Sequence, residues 1–401
     1  MRISRRGFLA GSAGGALATV APGLRVALAA GAASGNILVV CFMRGGQDGL
    51  QLVAPADDPD YISNRPTIRV QSSGSNAGLP AGSLGGTAFY FHPDLPELKA
   101  HYDAKRLAVV EAAGVLTENR SHFVVQDLME RGIADHEPNQ STGWLARHIA
   151  DLGGGRAALA DVADGATAPV SFLGDATAIA VPDAATFNVT GGDAQAAAIR
   201  AVNVGNSPYE AGVRTTLDAI AGVQAGLQKV PASTAPYTNG DFSKPLASLA
   251  KLIKMDIGVS VATVDMGGWD HHHALNNLFR GRAIELSKSL DAFWQDIAAY
   301  QDRVTIVTMT EFGRRLAENA SQGLDHGSAS TMLVMGAGVN GGKIYGTWPG
   351  LTPAALNGGD LAVTTDNRQV LAEIIAKRHG EPTLAQVFPT VGYKPLGILA
   401  G

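Results

Sequence analysis

The chain has 401 residues, 46% of them hydrophobic and 17% charged, which is enough apolar material for one large core or two ordinary ones and rules out disorder as the main state. A net charge of −5 argues against nucleic acid as a partner, because phosphate binding needs clustered Lys and Arg. A single cysteine, Cys41, cannot close an internal disulfide, and 49 glycines without a G-X-Y period exclude collagen and require another use.

Ser4-Arg5-Arg6-Gly7-Phe8-Leu9 opens a basic segment, followed by a weakly apolar Gly/Ala-rich run to about residue 20 and by Arg25 before Ala27-Leu28-Ala29. This pattern predicts a signal peptide over residues 1–29 with a small-residue cleavage site. The paired arginines followed by Phe-Leu resemble a twin-arginine signal, which implies the twin-arginine export machinery as a partner and a periplasmic or secreted destination. Removing 1–29 takes away four arginines and no acid, so the mature charge becomes −9. No later run approaches the roughly 18 apolar residues of a membrane span.

Residues 36–43 form a continuous apolar run bounded by Arg44-Gly45-Gly46, too short for a helix and flanked like a buried strand. Similar runs at 107–112, 170–173, 259–264, 304–308 and 332–335 predict further strands. Apolar positions at three- and four-residue spacing predict helices over 95–102, 122–131, 144–152, 275–300 and 369–378. Strands alternating with helices imply an α/β fold with a large, mostly parallel sheet covered on both faces. The Ala- and Gly-rich stretch from about 175 to 243 breaks the rhythm and reads as an insertion or cap.

In an open parallel sheet, ligands bind beyond the carboxyl ends of the strands. After the first strand comes Arg44-Gly45-Gly46-Gln47-Asp48-Gly49. After the second comes Asn119-Arg120-Ser121-His122. Residues 259–264 lead into Asp265-Met266-Gly267-Gly268-Trp269-Asp270-His271-His272-His273, and 304–308 lead into Thr310-Glu311-Phe312-Gly313-Arg314-Arg315, with Asp325-His326-Gly327 in a further loop. Carboxylates and imidazoles arriving at one edge suit a divalent metal: zinc or manganese for mixed N/O ligands, magnesium or calcium for oxygen alone. Each element also has a plainer reading. Asp48 and Asp325 fit turns, the histidine run fits a solvated tip, Glu311 and Ser121 fit helix caps, Asp366 caps the helix that follows it, and Cys41 is inert core.

Taken together, the twin-arginine start, Met43-Arg44-Gly45-Gly46-Gln47-Asp48-Gly49-Leu50, Asn119-Arg120-Ser121-His122-Phe123, Gly267-Gly268-Trp269-Asp270-His271-His272, Thr308-Met309-Thr310-Glu311-Phe312-Gly313-Arg314-Arg315, Asp325-His326-Gly327 and Tyr345-Gly346-Thr347-Trp348-Pro349-Gly350-Leu351 closely resemble the bacterial domain-of-unknown-function family number 1501. The resemblance spans about residues 36 to 400. That family is regarded as similar to the alkaline phosphatase and sulfatase superfamily, which implies a three-layer sandwich over 36–401 and one or two metals beside a Ser, Thr or modified Cys nucleophile. It implies Asp48 as the first-strand metal ligand, Ser121 as nucleophile, and Asp270 with His272 as a metal pair shortened to Asp-x-His. The superfamily's Asp-His pair is replaced here by Glu311-Phe312, so Glu311 keeps the metal role while a histidine ligand is lost or supplied by His326 or His122. Asp325-His326 resembles either the displaced pair or the late histidine of the other metal.

The expected function is therefore an exported hydrolase or transferase acting on phosphate or sulfate esters, small or polymeric. One or two divalent cations on Asp48, Asp270, His272, Glu311, Asp325 and His326 would activate Ser121, with His122 carrying protons and Arg44, Arg120 or Arg314 clamping the anion. The rival is a non-catalytic, metal-stabilised binding or assembly protein of the cell envelope on the same fold. A cofactor oxidoreductase of the kind that often uses twin-arginine export is disfavoured, since the chain has neither a Gly-x-Gly-x-x-Gly after the first strand nor a cysteine cluster.

Overall fold

The computed structural model describes residues 24–28, 35–151, 169–175, 178–181, 183–380 and 384–400. Its strands in chain order are β1 (Leu24–Leu28), β2 (Ile37–Met43), β3 (Val53–Ala54), β4 (Leu79–Leu84), β5 (Thr87–Phe91), β6 (Leu107–Gly114), β7 (Ala178–Ala180), β8 (Val259–Met266), β9 (Val304–Met309), β10 (Ser330–Gly336), β11 (Ile344–Tyr345) and β12 (Thr365–Asp366). The large sheet runs β11-β6-β10-β9-β2-β8-β1-β7, with β12 also on β6, and β3-β5-β4 form a small second sheet.

β2 lies at the centre, parallel to β8 on one side and to β9 on the other. All seven of its residues are buried, as a strand sandwiched on both faces demands. Alternation divides them between two cores: Ile37, Val39, Cys41 and Met43 on one face, Leu38, Val40 and Phe42 on the other. The first face is covered by the helices Pro96–Asp103, Ser243–Lys254 and Leu275–Asp296. The second is covered by His122–Arg131, Trp144–Asp151 and Asn367–Ile374. The result is a mixed α/β architecture of helices, sheet and helices. Cys41 sits in the core, its thiol pushed far up by burial.

Seven described strands of the sheet run one way, and β1 and β10 run against them. A parallel return needs a crossover, usually a helix. Residues 310–329, between β9 and β10, contain none, so β10 comes back antiparallel to both neighbours.

The run at 170–173, expected as a strand, is instead a 3₁₀ turn, Val170–Phe172. Four residues, three of them apolar, bounded by Pro169 and Gly174 are too few to tell the two apart. The turn docks by backbone contacts, Gly143 N to Leu173 O at 2.8 Å, and its Phe172 enters the second core. Within the expected cap, the described residues hold β7 and the helices Gly192–Val202 and Pro208–Leu227, the latter opened by a Ser207/Glu210 capping box. Most of the signal segment lies outside the described residues. Five of its residues do not: Leu24–Leu28 form β1, antiparallel between β8 and β7. No helix among the described residues is long and apolar enough to cross a membrane.

Candidate metal centre

Because β2, β6, β8 and β9 point the same way, the loops after them meet at one edge of the sheet. A glycine makes the approach possible. Gly45 has φ +116°, and a Cβ there would stand 2.7 Å from the Asp270 backbone nitrogen, so the turn after β2 and the turn after β8 touch main chain to main chain. Gly45 N–H then donates to Glu311 Oε1 at 2.9 Å, which joins the β9 loop to the other two.

Asp270 is the hub. Its Oδ1 accepts from Arg314 Nη2 at 2.7 Å and lies 3.0 Å from His272 Nε2, 3.2 Å from His326 Nε2 and 3.6 Å from His122 Nε2. The His272 and His326 Nε2 atoms are 3.0 Å apart. Ligand atoms of His122, Asp270 and His326 all fall within 4.8 Å of one another, a grouping that could hold a metal ion. Partial burial works against the Asp270 charge, but the Arg314 guanidinium and the neighbouring imidazoles outweigh it and bring its pKa down to about 2.

The far nitrogens of the rings face acceptors. His122 Nδ1 meets Glu311 Oε1 at 2.7 Å, His272 Nδ1 meets Asp325 Oδ1 at 3.2 Å, and His326 Nδ1 meets the Arg120 carbonyl at 2.8 Å. Glu311 is fully buried, and burial by itself pushes its pKa up. Hydrogen bonds from His122, Gln126 and the Gly45 amide reverse that and hold its pKa below the usual range. The same contact raises the His122 pKa.

The eleven residues anticipated from sequence divide clearly. His122, Asp270, His272 and His326 converge; Glu311 and Asp325 stand behind them against ring nitrogens. Asp48 is not brought there. Its carboxylate is buried and bound in bidentate fashion by Arg65, at 2.5 and 3.1 Å, and Arg65 continues to the Leu316 and Arg315 carbonyls. Of the arginines, Arg44 lies between Glu130 and Asp265 and over the Phe42 ring, and it reaches Glu311 only through Gln126, to which its Nη1 donates at 3.2 Å. Arg314 is buried and ties Asp270 to the carbonyls of Gly45, Gly46, Trp269 and Leu324. Arg120 pairs with Asp360 at the rim. Ser121 occupies the N-cap of the His122–Arg131 helix without a side-chain capping bond, its N–H donating to Asn119 Oδ1. Within the histidine run only His272 takes part; His271 is buried against Trp269 and Phe279, and burial lowers its pKa to about 4.

Two contributors were not anticipated. Gln126 donates to Glu311, and its spacing of four from His122 on one helix was a usable signal. Asn319, which bonds the His272 carbonyl and approaches Asp325, sits in a loop with no periodicity to mark it.

The model of the family described as protein of unknown function (DUF1501) matches residues 109–371, well over half the chain. The chain belongs to the DUF1501 family. No curated protein matches it. The DUF1501 span contains all four converging residues together with Glu311 and Asp325, and begins after Arg44 and Asp48.

Proposed function

We propose that this DUF1501 chain is an exported, metal-dependent hydrolase or transferase acting on phosphate or sulfate esters, on a fold of the alkaline phosphatase and sulfatase type. The observation that carries this reading is the convergence of three imidazole Nε2 atoms on Asp270 Oδ1 at 3.0–3.6 Å. The donors suit a divalent cation, and one of them asks for a partner: His122 Nε2 is buried without a hydrogen bond. When bound, the cation would supply Lewis acidity at the ester.

The chain's own groups do the rest. Arg314 offsets Asp270, and imidazoles bind metals in the neutral form, so a divalent ion would leave the inner group positive and attractive to an anion. Arg120, whose carbonyl holds His326, would orient non-bridging oxygens from the rim. Ser121 stands at the positive end of a ten-residue helix, directly before His122, with its hydroxyl uncommitted to capping, as a nucleophile requires. The twin-arginine motif supports export to the periplasm or beyond. The acidic mature charge supports a small or polymeric ester rather than nucleic acid.

Aryl phosphate and aryl sulfate hydrolysis by metal-loaded protein is the test. The combined Asp270→Ala and His272→Ala variant should lose at least about 100-fold in kcat/KM, and undiminished turnover would sink the reading. One feature favours the binding-protein alternative: Phe123, next to His122, is 86% exposed, with Leu116 and Val124 also exposed. Metal binding without turnover of either ester class would decide for it.

A further inference from the structure

Resting on that reading, we propose that His122, His272, His326 and Asp270 form a mononuclear zinc-class centre, with Glu311, Asp325 and the Arg120 carbonyl as outer partners that aim the rings and do not touch the ion. The first support is spacing. Metal–ligand bonds of about 2.0–2.1 Å in a tetrahedral site put neighbouring ligand atoms about 3.3 Å apart. Of the six separations among the four atoms, the three to Asp270 Oδ1 and the one between His272 and His326 are 3.0, 3.2, 3.6 and 3.0 Å, and His122 lies within 4.8 Å of His326.

The second support is ring orientation. Each Nδ1 faces a carboxylate or carbonyl oxygen, which places the ring proton on that side and turns the Nε2 lone pair inward. Two lone pairs 3.0 Å apart, on His272 and His326, repel unless something positive lies between them. An acceptor behind each ligating histidine is the arrangement by which proteins fix the metal-binding tautomer. This also gives Glu311 and Asp325 a task as anchors, so the acids near the hub do not call for a second ion.

Three imidazoles and one carboxylate select zinc, cobalt or their neighbours over magnesium and calcium, which prefer oxygen. The side chains of Asp270 and His272 are nearly half exposed. A substrate oxygen would enter as a fifth ligand from that side, as catalytic zinc sites allow.

The test is cobalt(II) titration of the purified full chain, followed by visible absorption and zinc displacement, with no activity needed. We expect one equivalent bound, an intense band of four- or five-coordinate cobalt, loss of that band in Asp270→Ala, and no change in His273→Ala. Asp325→Asn, at an exposed side chain, should weaken binding about 10–100-fold at unchanged stoichiometry. Glu311→Gln, which keeps an acceptor for His122, should do the same if it folds. Two equivalents, a weak octahedral spectrum, full affinity in Asp325→Asn, or no binding of cobalt or zinc would each overturn the centre. Cobalt binding as described with no ester turnover would overturn only the reaction class. Ester turnover by protein that binds no metal would overturn only the centre.

Discussion

Asp48 and Arg65 show how one residue's chemistry depends on a partner far along the fold. An aspartate among glycines after a first strand has the outward signature of a ligand, and nothing near it in sequence announces that a buried guanidinium will take both its oxygens. Truncating either partner strands a buried charge, so Asp48→Ala or Arg65→Ala should each cost about 3–5 kcal/mol by urea unfolding. An Asp48→Ala protein of unchanged stability would show that the pair has been misassigned. Buried histidines set a second residue-scale expectation. Burial lowers His92 and His271 to about 4 and His379 to about 3, from 6.5. The unfolded chain therefore binds more protons than the native state below pH 6.5, and these groups withdraw stability as pH falls from there towards 4. Glu111 acts in the opposite sense: burial raises its pKa to about 8 from 4.5, so its contribution is complete below 4.5 and declines as pH rises to 8. Urea midpoints across pH 4–8 should show the acid-side slope flattened in His271→Phe and the alkaline-side slope flattened in Glu111→Gln.

Among the elements, the central strands were the most legible in sequence, because being buried on both faces leaves runs dominated by apolar and β-branched residues at 36–43, 259–264 and 304–308. The helices over them were legible from their spacing. Asp366 was read as a cap, and its side chain does accept from Arg368 N. What sequence could not give was direction and pairing. β10 looks like its parallel neighbours and runs the other way because its approach lacks a helix. The β4–β5 hairpin, turned by Gly85 and Gly86 at φ 58° and 84°, carried a usable Gly-Gly signal that no strand run flanks clearly. The helix-free loop 310–329 holds Glu311, Arg314, Asp325 and His326, and a loop of that length inside a compact domain is commonly functional. Its closure depends on Gly313, where a Cβ would lie 1.8 Å from the Ala329 carbonyl. Gly313→Ala should lower stability by about 1–3 kcal/mol and weaken cobalt binding together, while an unaltered thermal midpoint would contradict this packing. β1 raises a separate point, since cleavage near Ala29 would remove it. It makes five residue pairs with β8. Deleting residues 24–28 should expose the β8 edge and lower the urea midpoint, and an unchanged midpoint would deny β1 a place in the sheet.

At the scale of the molecule, parallel strand direction turns scattered motifs into one site. The side chains of residues 122, 270, 272 and 326 meet only because β6, β8 and β9 end at the same edge and Gly45 lets two turns touch. This much followed from reading strand ends. Which acids join the histidines at the hub and which stand behind a ring did not, since that depends on side-chain direction. The most direct check on the whole account is a zinc-loaded crystal structure soaked with vanadate, with the ion located by anomalous scattering. One zinc peak should lie between His122, His272, His326 and Asp270, with vanadate against it within reach of Ser121 and Arg120. A peak at Asp48, two peaks, or vanadate bound away from the histidines would contradict it.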